Sequence, residues 1–118
     1  MKVLIIEQEK TLQQSLRYFM QLQKNFEVAF AHSQKEGLSL WQSAPFDMVL
    51  CTDRLPDGNG LEMLKTLMLE KPEIISILMT AGQDEILKQE AMKFGIQGYL
   101  EKPFDLQQLE EAMGVSHP

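Results

Sequence analysis

The chain has 118 residues, of which 44% are hydrophobic, enough for one domain with a sizeable core. It carries 11 basic and 17 acidic residues, a formal net charge of −6, and this acidic balance argues against direct binding to DNA or RNA. The single cysteine, Cys51, excludes an internal disulfide framework and fits a reducing compartment. No run approaches the ~20 apolar residues of a membrane span, and no signal-peptide pattern opens the chain, so we expect a cytoplasmic protein without a membrane partner.

Five short apolar runs alternate with five segments of helical periodicity. The runs are continuous, as expected of strands buried on both faces of a sheet; they cover residues 3–6, 27–31, 48–51, 74–79 and 98–101. The helical segments cover residues 11–22, 34–44, 61–70, 86–94 and 106–113. Strict alternation predicts an α/β fold with a doubly wound, flavodoxin-like parallel sheet in the order 2-1-3-4-5. Residues 1–113 would form this domain and residues 114–118 a tail or the start of a linker.

Several helix ends have recognisable capping residues. Ser33 is followed by Glu36, the spacing of a capping box, and Asp105 stands directly before the last helical segment. Gly95 follows the fourth helical segment, where a left-handed C-cap is common. Cys51 lies inside an apolar run, and we interpret it as a small core residue.

Polar side chains follow four of the five predicted strands at their carboxyl ends. In an open parallel sheet these ends lie along one edge, which is where such folds bind ligands. The residues concerned are Glu7, Gln8, Thr52, Asp53, Thr80 and Lys102. Carboxylates, hydroxyls and a lysine are therefore expected to meet in one pocket.

The whole chain resembles the receiver domain of two-component response regulators. Four segments carry the resemblance, and the last, Gly98-Tyr-Leu-Glu-Lys-Pro-Phe104, is the most specific; the others are residues 3–9, 55–60 and 79–81. The resemblance implies a phosphorelay switch in which a histidine kinase phosphorylates an aspartate after the third strand. In the family an acidic pair after the first strand holds Mg²⁺, and a hydroxyl and a lysine bind the phosphoryl oxygens.

Carried over by position, the resemblance assigns Thr80 as the switch hydroxyl and Lys102 as the phosphate-binding lysine. Tyr99 matches the aromatic residue whose rotamer reports the active state, although a half-buried strand aromatic would explain it equally well. The Lys102–Pro103 bond matches a peptide bond that is cis in the family.

Two positions depart from the family pattern. The acceptor aspartate stands four residues before the loop proline, and counting back from Pro56 gives Thr52. The acidic pair corresponds to Glu7 and Gln8, so one carboxylate is replaced by an amide. Thr52 cannot form an acyl phosphate, and a site with a single matched carboxylate should bind Mg²⁺ at most weakly.

Two alternatives stay open. Asp53 could serve as the phosphoacceptor, but neighbouring strand residues point to opposite faces, so its side chain would need a bulge or a loop rearrangement to reach the pocket. A small cofactor-binding protein or enzyme on a flavodoxin-like fold is the other alternative. It is disfavoured because the chain has neither a G-x-G-x-x-G motif nor a P-loop.

The sequence thus predicts an atypical receiver, a pseudo-receiver, that is not an enzyme, has no catalytic residue and needs no cofactor. It would act through contacts with a signalling partner, either a histidine kinase or an output domain, with transcription among the outputs to consider. A homodimer through the fourth helix, fifth strand and fifth helix is a further hypothesis, with Phe94, Tyr99 and Phe104 expected near that face.

Overall fold

The computed structural model describes residues 1–114, which form one five-stranded parallel sheet, a hairpin whose two strands have two residues each, and five helices. The strands are β1 (Lys2–Ile6), β2 (Glu27–Ala31), β3 (Met48–Thr52), β4 (Arg54–Leu55), β5 (Gly58–Asn59), β6 (Ile75–Thr80) and β7 (Gly98–Glu101). The helices are α1 (Lys10–Gln21), α2 (Gln34–Ser43), α3 (Gly60–Glu70), α4 (Glu85–Phe94) and α5 (Leu106–Met113). The sheet order β2-β1-β3-β6-β7 confirms the predicted fold class.

The sheet separates two hydrophobic cores, because alternate residues of each buried strand point to opposite faces. In β1, Val3 and Ile5 pack on the face that α1 and α5 cover, whereas Leu4 and Ile6 pack on the face of α2, α3 and α4. All residues of β3 are buried, and Cys51 is a core residue as predicted. Within residues 1–114, none of the helices has the length and apolarity that a membrane crossing requires.

The structure corrects the prediction in three places. The third strand extends to Thr52, so this residue belongs to the sheet and not to the following loop. That loop contains the antiparallel β4–β5 hairpin, in which Arg54 pairs with Asn59. Three large aliphatic residues at the ends of predicted helical segments are exposed and not part of a buried stripe: Leu22, Ile86 and Leu106.

The predicted caps are largely present. The Ser33 hydroxyl accepts a hydrogen bond from the Glu36 amide, while the Glu36 carboxylate contacts His32 Nδ1 at 2.9 Å. Asp105 and Gln108 form a complete capping box at α5. Gly95 ends α4 with φ of 102°, a conformation that residues with a Cβ rarely adopt. Gly114 similarly caps α5, and the rest of the predicted tail lies outside the described residues.

Asp57, in the turn of the hairpin, caps a helix 23 residues away in sequence. Its carboxylate oxygens accept hydrogen bonds from the Gln34 amide at 2.7 Å and the Lys35 amide at 2.9 Å, at the amino end of α2. These two bonds lower the pKa of Asp57 below its ordinary value of 3.8. The hairpin is therefore fastened to α2.

Replacing this cap should lower stability in a pH-dependent way. A carboxyl group with a depressed pKa in the folded state stabilises the fold above its unfolded pKa, and loses that effect as the pH falls through the folded value. We expect Asp57→Ala to unfold at lower urea concentration than wild type at pH 7, and the difference to shrink below pH 3.8. Urea titrations across this range measure it. If the stability difference between wild type and Asp57→Ala stayed constant with pH, the capping role would be contradicted. The matched control is Asp84→Ala, which removes the N-cap side chain of α4.

Candidate functional site

Three polar side chains from different strand ends meet at the carboxyl edge of the sheet. Lys102 Nζ donates to Glu7 Oε1 at 2.6 Å and to Thr52 Oγ1 at 2.9 Å. Glu7 and Thr52 are almost fully buried, with 1% and 2% exposure. The second oxygen of Glu7 accepts from the Glu9 amide at 3.1 Å. Lys102, Glu7 and Thr52 thus form a closed polar cluster, with a salt bridge at its centre.

Main-chain contacts of neighbouring strands position this cluster. β1 and β3 are parallel neighbours, with Ile6 opposite Cys51, so the residues that follow them emerge side by side. The Lys102 amide donates to the Thr80 carbonyl at 2.8 Å, which places the lysine beside β6, and the Lys102–Pro103 bond is cis. The loop after β3 brings the backbone of Gly60 close to Thr52. Only glycine fits there, because a Cβ would lie 1.8 Å from the Thr52 carbonyl oxygen.

Thr80 and Tyr99 lie near the cluster without joining it. The buried Thr80 hydroxyl donates to the Gly82 carbonyl at 3.1 Å, which directs it toward the loop after β6. Tyr99 is half-buried, its hydroxyl lies 3.4 Å from the Asp84 carbonyl, and its ring lies 5.7 Å from Lys88 Nζ. Desolvation raises the pKa of this phenol.

Asp53 lies at the mouth of the same cavity as Glu7, Thr52 and Lys102. The alternation argument had directed its side chain away from the pocket, but Asp53 follows the last residue of β3 and is no longer held in the pleat. Its backbone is fixed, because its amide donates to the Met79 carbonyl at 2.8 Å and its carbonyl accepts from the Gly60 amide. Within residues 1–114, no hydrogen bond or ion pair joins the Asp53 carboxylate to the cluster, and Lys102 is bound by Glu7 and Thr52 instead.

The residues present fit a Mg²⁺ ion poorly. Magnesium prefers hard oxygen ligands in octahedral geometry, usually with at least one free carboxylate. Here the carboxylate of Glu7 is neutralised by Lys102, its neighbour Gln8 is an exposed amide, and Thr52 contributes a hydroxyl. Asp53 and Glu9 also line the cavity with carboxylates that are unpaired within residues 1–114, but they are not grouped with Glu7 as a set of three ligands. In the described part of the chain, no three His, Cys, Asp or Glu side chains are grouped so that they could hold a metal.

The structure adds contacts that the sequence interpretation lacked. Lys65 bridges α3 and α4, with Nζ 3.0 Å from Glu90 Oε1 and 5.4 Å from the centre of the Phe94 ring. The hydrogen bond that Lys65 donates to the Glu90 carboxylate raises the pKa of Lys65. Phe104, expected near the face of the fourth helix, fifth strand and fifth helix, lines the cavity between α1 and α5 instead. Neither contact has a sequence signal, because both depend on how separate helices pack.

A flavodoxin-like sheet with this polar cluster at its carboxyl edge defines a class of α/β signalling domain, and comparison with known proteins identifies the family. The response regulator receiver domain matches residues 3–114, so the chain belongs to the receiver domain family of two-component signalling. A solved receiver domain from Clostridium thermocellum superposes with a TM-score of 0.86 at 29% identity, covering 96% of this chain and 90% of that one.

Curated relatives extend beyond the region matched here. Response regulator ArlR of Staphylococcus saprophyticus is 32% identical over 111 residues, which is 92% of this chain and 48% of the relative. Response regulator protein PilR of Pseudomonas aeruginosa is 30% identical over 115 residues, which is 98% of this chain and 26% of the relative. The chain therefore spans about half or less of the length of these relatives.

Proposed function

We propose that this receiver is an atypical one, whose signalling does not depend on aspartyl phosphorylation. The observation that carries the proposal is the engagement of Lys102 by Glu7 and by Thr52, the residue at the acceptor position. Phosphoryl transfer depends on positioning and on cations that neutralise the phosphoryl oxygens. In this site the cation is already neutralised by a buried carboxylate, and the acceptor is a hydroxyl with no general base among its contacts.

Weak or absent Mg²⁺ binding and the lack of an enzymatic activity belong to the same proposal. The test is chemical: acetyl phosphate with Mg²⁺ should produce no hydroxylamine-labile adduct. The second candidate, a receiver phosphorylated on Asp53, is favoured by one observation, the position of Asp53 at the mouth of the cavity. A labile adduct that is lost in Asp53→Asn would establish that candidate and refute the first.

The domain would act through protein contacts, with a histidine kinase or an output domain as partner. One matched relative is named transcriptional regulatory protein ZraR of Salmonella typhimurium, at 34% identity over 88 residues, so control of transcription through an attached or separate output is part of the proposal. Cys51, buried and free of any disulfide, fits a cytoplasmic location.

We further propose a homodimer through the face formed by α4, β7 and α5. A shallow depression on this face is lined by Lys88 of α4, Glu101 of β7 and Glu111 of α5, together with the half-buried Tyr99. Opposite charges on adjacent elements suit a two-fold interface, because each lysine can meet a glutamate of the other copy.

Charge exchange should test this interface. We expect wild type to approach the dimer mass with rising concentration in size-exclusion chromatography with light scattering. Lys88→Glu should shift it toward monomer, because like charges would then face each other. The double variant K88E/E111K should recover the dimer. Lys24→Glu, at an exposed position after α1, is the matched control. A monomeric wild type, or a K88E variant that dimerises normally, would refute this face.

A further inference from the structure

An apolar groove of 850 Å³ runs between α1 and α5 and ends at the polar cluster. Its walls include Leu12, Tyr18 and Leu22 of α1 or its C-cap, together with Phe104 and Leu106. Tyr18, Leu22 and Leu106 are 68%, 59% and 51% exposed, so large apolar side chains face solvent along this groove. The volume lies in the range of roughly 300–1,000 Å³ that is typical of small-molecule sites.

The polar end of the groove has an excess of free negative charge. Glu7 and Lys102 cancel each other, which leaves the carboxylates of Glu9 and Asp53 and the guanidinium of Arg54. Among the described residues, neither of these two carboxylates forms a side-chain hydrogen bond or an ion pair. The aromatic ring of Phe104 lines the same groove, and aromatic faces attract organic cations. Anions, by contrast, would meet two carboxylates, a lysine that is already paired and the guanidinium of Arg54, so the unpaired side chains carry a net negative charge.

We propose that this groove binds a small amphipathic organic cation, with its apolar body between α1 and α5 and its charged group beside Asp53 and Glu9. Charge and shape both favour this class: the long wall is apolar, and the end of the groove is anionic with an aromatic side chain near it. The charged group of the ligand would lie next to Thr52 and Lys102. Its binding would therefore act on the carboxyl edge of the sheet, where the family's phosphorylation site lies. This inference goes beyond the proposed function, since it does not depend on whether Asp53 takes a phosphoryl group.

Three probes with the same ten-carbon chain and different heads test the charge preference. Decyltrimethylammonium, decyl sulfate and decyl maltoside are titrated, below the concentrations at which they aggregate, into ¹⁵N-labelled protein. We expect saturable amide shifts from the ammonium probe that are concentrated at Leu12, Tyr18, Asp53 and Leu106, with affinity at least about ten-fold above that of the sulfate probe. Equal or tighter binding of the sulfate probe, shifts spread over the whole surface, or no saturable shift would overturn the proposal.

Variants of Glu9, Asp53 and Leu106 separate the head site from the apolar wall. The double variant E9Q/D53N should weaken the ammonium probe about five-fold and leave the maltoside probe unchanged. Leu106→Ala should weaken both probes, whereas Leu69→Ala, which removes another exposed leucine that is on α3, should weaken neither. An unchanged ammonium affinity in E9Q/D53N would refute the head site. If groove variants instead changed the mass in light scattering and no probe bound, the groove would be a protein interface and the proposal would be wrong.

Discussion

Acetyl phosphate with Mg²⁺ should leave the intact mass of the wild-type protein unchanged, whereas the double variant Q8D/T52D should gain roughly 80 Da, the mass of one phosphoryl group. A carboxylate nucleophile forms an acyl phosphate directly, but a threonine hydroxyl needs a base to take its proton. The contacts of the Thr52 hydroxyl include Lys102, which is a hydrogen-bond donor. Among residues 1–114, the Thr52 hydroxyl thus has no hydrogen-bonded base to take its proton, which is why we expect no transfer to it.

The double variant should react because it supplies the two carboxylates that the site lacks, and the new acceptor carboxylate would draw Lys102 Nζ away from Glu7, its present partner. Lys102 Nζ lies 2.9 Å from the Thr52 hydroxyl, and Thr80 sits on the adjacent strand β6. Thr52→Asp would supply the nucleophile, and Gln8→Asp would supply a second carboxylate for Mg²⁺. Electrospray mass spectrometry before and after hydroxylamine measures the gain and its lability.

Two controls decide what a positive or negative result means. The variant Q8N/T52N has side chains of the same shape without the carboxylates, so it should stay unmodified. Adding Asp53→Asn to Q8D/T52D should leave the labelling intact if the new Asp is the acceptor. A hydroxylamine-labile adduct on wild type that disappears in Asp53→Asn would refute the proposed function in favour of the alternative receiver.

The fold could be predicted because its signal is local. Each buried strand is a short apolar run and each helix has its own periodicity, so their alternation predicted a doubly wound parallel sheet. The chain length and the five strands then favoured the flavodoxin-like order, which the structure has. Glu7, Thr52 and Lys102 could be expected to lie together because each stands at or directly after the carboxyl end of a strand, and parallel strands end at one edge. Convergence of residues up to 95 positions apart is thus a property of the topology.

What could not be predicted depends on packing between elements. Helical periodicity marks an apolar stripe but not how much of it a neighbour covers, and Leu106 at the first turn of α5 is 51% exposed beside the groove. The residues around Asp57 are typical of a turn. The hydrogen bonds that the Asp57 carboxylate accepts from α2, however, form only when the hairpin and the helix are both in place. The position of Asp53 also escaped the alternation rule, because the strand ends one residue earlier.

Removing the lysine of the polar cluster should cause the largest loss of stability. In Lys102→Met the carboxylate of Glu7, only 1% exposed, would remain buried without its cation. Breaking a buried ion pair from one side costs more than the pair contributes, since the remaining charge is desolvated and uncompensated. Lys102 is 18% exposed, which admits some solvent, so we expect a loss of about 3 kcal/mol in the free energy of unfolding, near the lower end of the usual range.

Equilibrium urea unfolding at pH 7 measures this loss, and a second variant separates the charge effect from lost packing. The double variant E7L/K102M removes both charges and should recover most of the stability, because a buried pair replaced by apolar side chains is often neutral. Lys24→Met, which removes an exposed lysine, should change the free energy of unfolding by less than about 0.5 kcal/mol. If Lys102→Met lost no more than this control, the buried pair of Glu7 and Lys102 would not stabilise the fold, and this prediction would be wrong. If E7L/K102M stayed as unstable as Lys102→Met, the loss would come from the packing of the lysine stem and not from the charge of Glu7.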